Sequence, residues 1–156
     1  MPSDKFMRQA IDLSRRAIVE KIGGPFGAIV VHKGIVIASG QNRVLLENDP
    51  TAHAEIIAIR SASHHLGAFR LTGCELYTSC EPCPMCLGAI YWARIERVYY
   101  ANTRADAAKI GFDDEFIYTE FGMPAAQRCI TFKQFLREKA IIVFDDWSRS
   151  ADKRLY

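Results

Sequence analysis

The chain has 156 residues, of which 49% are hydrophobic and 24% charged, with a net charge of +2. Such a length fits one domain with a real core, and the balance describes a globular rather than a disordered protein. No run reaches transmembrane length and no apolar segment of signal-peptide type follows Met1-Pro2-Ser3, so the expected location is the cytoplasm, away from membranes.

No repeat or low-complexity linker divides the chain, which therefore reads as a single domain over residues 1–156. Ser3 is placed to cap a helix in which Phe6, Ala10, Leu13 and Ala17 recur at helical spacing. Gly23-Gly24-Pro25 should stop it. Residues 27–32 and 35–39 are β-rich runs joined by Lys33-Gly34, the pattern of a tight hairpin. Asn48-Asp49-Pro50-Thr51 is turn chemistry, with Asp49 or Thr51 as a cap for the next helix, residues 52–66. Its Ala54, Ile57 and Ala58 are expected to share one face, and Gly67 to end it.

Residues 75–79 read as a short strand that feeds a helix beginning at Pro82 and running to about residue 94. Residues 98–101 form the next strand. Strand, helix and strand on links this short make a βαβ unit with parallel strands. A short helix over 104–109 follows. The aromatic and acidic stretch 111–124 is expected to be a loop, 132–139 a helix and 141–144 a strand, before a polar tail over 147–156. The class is α/β, with helices on both faces of one sheet.

The chemistry concentrates in Ser79-Cys80-Glu81-Pro82-Cys83-Pro84-Met85-Cys86. The five cysteines are an odd number, and three of them fall in this stretch, which fits metal binding better than a disulfide framework. Cys83 and Cys86 lie three apart at a helix start, where the partial positive charge favours thiolates. His53 and Glu55 open the preceding helix as His-Ala-Glu. Two helix starts flanking one strand can aim at one point outside the strand's carboxyl end. His53, Cys83 and Cys86 then give three nitrogen and sulfur ligands, a set suited to one tetrahedral Zn2+ with a position open for water. Zinc lowers the pKa of such a water to about 7. Glu55 is spaced to take and return a proton rather than to bind metal.

Plainer readings stand beside these. Cys80 or Cys74 as a fourth ligand would close the site and make it structural, but Glu55 would then have no function. Cys80 is otherwise a partly buried thiol near the site, and Cys74 and Cys129 are small buried residues. His32, His64 and His65 belong to the surface, Met85 and Leu87 to the core, and Asp113 to a loop or cap. Near-neutral charge argues against a nucleic-acid binder, since Arg149, Lys153 and Arg154 are offset by Asp145, Asp146 and Asp152.

The pattern H-x-E…P-C-x-x-C is that of the zinc-dependent nucleobase deaminases. Over nearly its whole length the chain resembles that superfamily, and GGPFGA, NDPTAHAE, TSCEPCPMCLGAIYWAR and GFDDEFIY resemble the bacterial guanine deaminases in particular. The resemblance implies a three-layer α/β/α cytidine-deaminase-like fold with a central mixed sheet. It also implies a purine substrate, with Asn42, Ala54, Trp92, Asp114 and Tyr156 contacting or enclosing the base. A homodimer is a further implication, in which a C-terminal segment of about 145–156 is exchanged and closes over a site. Asp114 bears on substrate choice, because guanine offers N1–H and an exocyclic amine as neighbouring donors whereas adenine presents an acceptor at N1. The expected reaction is hydrolysis of guanine to xanthine and ammonia, with Glu55 as proton shuttle. The competing expectations are a related deaminase acting on guanosine, cytosine or tRNA adenosine, and a zinc-stabilised binding module without turnover.

Overall fold

The computed structural model describes residues 2–155. Two compact units divide the chain, residues 1–114 and 115–156.

In the first unit, α1 (Asp4–Val19) leads into the hairpin of β1 (Gly27–His32) and β2 (Ile35–Gln41). Lys33 and Gly34 both take positive φ, 50° and 77°, the geometry of a type I′ turn whose twist matches the paired strands. A one-turn helix α2 (Val44–Glu47) precedes α3 (Ala54–Leu66), β3 (Cys74–Cys80), α4 (Pro84–Trp92), β4 (Arg97–Asn102) and α5 (Arg104–Lys109). The sheet order is β2-β1-β3-β4; β1 is antiparallel to both neighbours and β3 runs parallel to β4 across α4. The expected mixed sheet and βαβ unit are therefore both present.

Helices cover both faces of this sheet, and β1 serves both. Ala28 and Val30 join Ala54, Ala58, Ile59, Ala62, Leu76 and Ile90 in one core. Ile29 and Val31 join Ala10 and Tyr77 in the other, with Phe6, Met7 and Leu13 of α1 against them. A strand buried on two faces reads as a continuous apolar run, which is what 28–31 is. Two glycines make the close approaches possible. A Cβ on Gly27 would lie 2.4 Å from the Ala10 carbonyl oxygen of α1, and one on Gly40 would lie 2.1 Å from the Ala54 carbonyl oxygen of α3.

Several local expectations are corrected. Helix α1 ends four residues before Gly23, where Lys21 turns to φ 56°. Asp49 accepts from the Thr51 backbone and hydroxyl instead of capping α3, whose N-cap is His53. Ile57 is half-buried, while Ile56 and Ile59 complete the inner face of α3. Helix α4 starts at Pro84 rather than Pro82, which leaves Cys83 at the N-cap. Leu87 and Cys129 are exposed rather than buried.

In the second unit, α6 (Glu115–Gly122) occupies the stretch expected to be loop, and α7 (Arg137–Arg149) runs through the stretch expected to be a strand. The acidic residues before and in the first turn of α6 suit the positive end of a helix, and an apolar run as short as 141–144 carries no period that separates strand from helix. Residues 132–136 precede α7 and are not helical.

Candidate metal centre and active site

Strand β3 ends between two helix starts. His53 is the N-cap of α3 and Cys83 the N-cap of α4. An N-cap side chain ordinarily accepts a hydrogen bond from its own helix; neither of these does, and they face each other instead. His53 Nδ1 lies 3.5 Å from the sulfurs of both Cys83 and Cys86. All three donor atoms fall within 4.8 Å of one another.

The protonation pattern suits metal binding. Hydrogen bonding from Cys86, supported by His53, brings the Cys83 thiol down to about 4, while Cys86, which donates that bond, is held far above the usual thiol range. The bond with Cys83 raises His53. A thiolate, a second sulfur and an imidazole, side by side at the N-terminus of α4, form a borderline-soft donor set. Three protein donors leave a tetrahedral ion one open position, so the residues fit a catalytic zinc rather than a closed structural one. Cys80 is not part of the cluster: burial lifts its thiol to about 11, and its sulfur faces the Thr103 carbonyl at 3.6 Å.

Glu55 lies beside these donors and is only 5% exposed. Its Oε2 accepts from the Cys86 thiol at 3.6 Å and its Oε1 from the Thr78 hydroxyl at 3.2 Å. Burial raises its pKa, with the Cys83 charge acting in the same direction. A buried carboxyl next to a metal-ligand set, and not itself one of the ligands, is the arrangement of a general acid and base.

The remaining sequence candidates separate into two groups. Asn42 is buried, and its side-chain oxygen accepts from the backbone N–H of Gly24 and Val44, so the oxygen is committed to the scaffold. Ala54 is fully buried at the start of α3, between His53 and Glu55. Asp114 is half-buried; desolvation and the Cys83 charge push its carboxyl upward, which places it within electrostatic reach of the ligand sulfur. Trp92 is different: it closes α4, nine residues beyond Cys83 or about 13 Å along the axis, and is 62% exposed. The structure does not bring it to the cluster of its own chain. Tyr156 lies outside the described residues.

Three supports were not legible as site features. Thr78 is a polar residue in the inward row of β3, a signal that the row contains a partner for it. Gly40 marks the close approach of α3, and isolated glycines in strands carry that meaning. The third is the turn at Gly24: its N–H holds Asn42, and the Phe26 carbonyl accepts from the Asn42 backbone. The Phe26 ring meets Phe112 edge-to-face at 4.9 Å, two residues before Asp114.

An open zinc-type site with a buried carboxylate, at the carboxyl end of a parallel strand pair, defines a hydrolytic class. The comparisons narrow it. Residues 2–102 match the family model of the cytidine and deoxycytidylate deaminase zinc-binding region. Guanine deaminase of Bacillus subtilis (strain 168) is 51% identical over 156 residues, all of both chains. The X-ray structure of guanine deaminase from Bacillus subtilis superposes with a TM-score of 0.96 at 51% identity, covering 100% of this chain and 99% of that one. A tRNA-specific adenosine deaminase of Agrobacterium fabrum is 37% identical over 147 residues, 87% of this chain and 95% of its own. The chain belongs to the cytidine and deoxycytidylate deaminase family, and zinc is its cofactor.

Proposed function

We propose that the protein hydrolyses guanine to xanthine and ammonia. The observation that carries this reading is the juxtaposition of Glu55 with the His53, Cys83 and Cys86 donors, in a chain whose full length matches a guanine deaminase at 51% identity. His53, Cys83 and Cys86 would hold the zinc ion, which when bound would lower the pKa of its water to about 7. Glu55, desolvated and unable to reach bulk solvent, accepts one proton of the attacking water and returns it to the purine ring nitrogen beside C2, then carries the second proton, from the hydroxyl formed on C2, to the departing amine. Water adds its oxygen to C2, the C–N bond breaks, and ammonia leaves.

Asp114 pairs with the N1–H and amine of guanine, and this is the reading for substrate choice. Facing adenine, the same carboxylate would meet a lone pair, and leaving a buried acceptor unpaired costs about 1–3 kcal/mol. Asn42 contributes its amide N–H2, because its oxygen is already held by Gly24 and Val44. Ala54 lines the pocket floor between the two charged residues of α3.

The working unit is a homodimer of single-domain chains, with the segment near 145–156 exchanged. Supporting this, the described part of residues 115–156 contains no buried residue, while Phe116, Phe121, Phe132, Phe144 and Trp147 are exposed. A segment so apolar needs a partner surface. Trp92, far from its own cluster, and Tyr156 enclose the base of the partner copy in this arrangement. No helix of the described residues is long and apolar enough to cross a membrane. Cytoplasmic placement is supported by five free cysteines, which a reducing compartment keeps available.

The test is ammonia release by the purified zinc protein from guanine, guanosine, adenine, cytosine, cytidine and a tRNA anticodon stem-loop, with Asp114→Asn in parallel. Guanine should dominate, and the variant should lose guanine turnover at unchanged zinc content. Release from the stem-loop with none from guanine would replace this reading with the tRNA one.

A further inference from the structure

We infer that Thr78 is a positioning residue for the proton shuttle: its hydroxyl fixes Oε1 of Glu55 and thereby presents Oε2 to the ligand cluster. The inference rests on the hydrolytic reading of the site but concerns a residue outside its chemistry. In β3, Cys74, Leu76, Thr78 and Cys80 alternate toward the α3 and α4 layer and are all buried. Cys74 and Leu76 belong to the apolar core of that layer. Valine would fill position 78 with nearly the same volume and would carry no polar atom into an apolar row. A buried hydroxyl is unfavourable there unless it is hydrogen-bonded, and the bond it makes is the 3.2 Å contact to Glu55.

The geometry on the other side of the carboxyl completes the argument. Oε2 faces Cys86 Sγ at 3.6 Å, and that sulfur is 3.5 Å from His53 Nδ1. One oxygen is therefore tied to the rigid centre of the sheet and the other is directed at the donors. A long flexible side chain with two equivalent oxygens gains a single orientation from one donor. Productive proton transfer needs that orientation, since misplacement of a catalytic group lowers the rate without weakening substrate binding. Thr78 is also opposite Ala28 in the β1–β3 ladder and Tyr100 in the β3–β4 ladder, so its backbone is paired on both sides and cannot drift.

The experiment compares Thr78→Val and Thr78→Ser with the wild type as zinc-loaded proteins on guanine. Removing a hydrogen bond to a charged group predicts a fall in kcat of about tenfold or more for Thr78→Val, with KM within about twofold and zinc content unchanged. Thr78→Ser, which keeps the hydroxyl, should recover most of the loss although it removes a methyl group. Independently of turnover, the infrared difference between each protein and its Glu55→Gln counterpart isolates the Glu55 carboxyl band. That band should be displaced in Thr78→Val and restored in Thr78→Ser. Wild-type kcat in Thr78→Val, a parallel loss of zinc, or a band unmoved by the substitution would each overturn the assignment. If Thr78→Val does not fold, Thr78→Ala is read by the same band. A wild type that releases no ammonia from guanine would overturn the proposed function and leave the infrared comparison to decide Thr78.

Discussion

On one face of the sheet, Ile29, Val31 and Tyr77 meet Ala10 of α1; on the other, Ala28, Val30 and Leu76 meet Ala54, Ala58 and Ile90 of α3 and α4. Both faces use small residues where a helix comes close, and each relies on one glycine for its nearest approach. They differ at the end of the strands. The α1 face continues in packing and ends in Tyr77, whose ring meets Phe6 edge-to-face and Tyr99 at a tilt. The α3 and α4 face ends in Thr78, Glu55 and the three metal donors. The difference lies in what the helices present at their starts: α3 and α4 begin beside each other with ligand side chains at both N-caps. Ser3, at the N-cap of α1, instead donates its backbone N–H to Tyr77.

Glu55→Ala should produce the largest effect, and only on the chemical face. Loss of a general acid and base predicts a fall in turnover of about a thousandfold or more. Zinc content should be unchanged, because Glu55 is not among the donors. Loss of zinc in this variant would merge shuttle and ligand roles and break the distinction drawn here.

Gly40→Ala and Gly27→Ala sharpen the comparison with matched substitutions. Each added methyl collides with a helix carbonyl, at 2.1 Å for Ala54 and 2.4 Å for Ala10, and overpacking of this kind costs about 1–3 kcal/mol. Denaturant titration should therefore show similar destabilisation for both. Gly40→Ala displaces the first turn of α3, which carries His53 and Glu55, so it should also release zinc to a competing chelator. Gly27→Ala displaces α1 and should retain zinc. Equal retention in the two variants would mean that the site does not depend on how closely α3 is docked.

The same contrast governs what could be read from the residues alone. In α1, β1 and β3 apolar spacing coincides with burial, and their positions follow from it within a few residues. His53, Cys83 and Cys86 were legible because a helix start places each in a calculable direction. Past residue 110 the period loses its meaning. Residues 115–155 contain large apolar side chains but no buried ones, so no interior face selects helix over loop or strand, and α6 and α7 escaped the reading. Trp92 was placed at the base by resemblance alone, and helix length sets it apart from its own cluster. Thr78 escaped for a different reason: one hydroxyl in a strand acquires its meaning only when the residue across the layer is known.

Tyr77→Phe should give the smallest effect and isolate the non-chemical face. Its ring is 1% exposed, and its hydroxyl accepts from the Ser3 backbone at 3.2 Å and donates to Glu75 at 3.3 Å. Phenylalanine preserves the ring contacts with Phe6 and Tyr99 and removes only those two bonds. Net loss should be about 1 kcal/mol, or roughly 2–4 °C in Tm for a chain of this size. The Ser3 N–H is left without its acceptor, but Ser3 is only partly buried, so water can replace the hydroxyl. Zinc content and kcat should match the wild type, because Tyr77 and Thr78 point to opposite faces of β3. A fall in kcat at unchanged zinc content would show that strain on the α1 side passes through the strand to Thr78 and Glu55, and the two faces would then have to be treated as one mechanical unit.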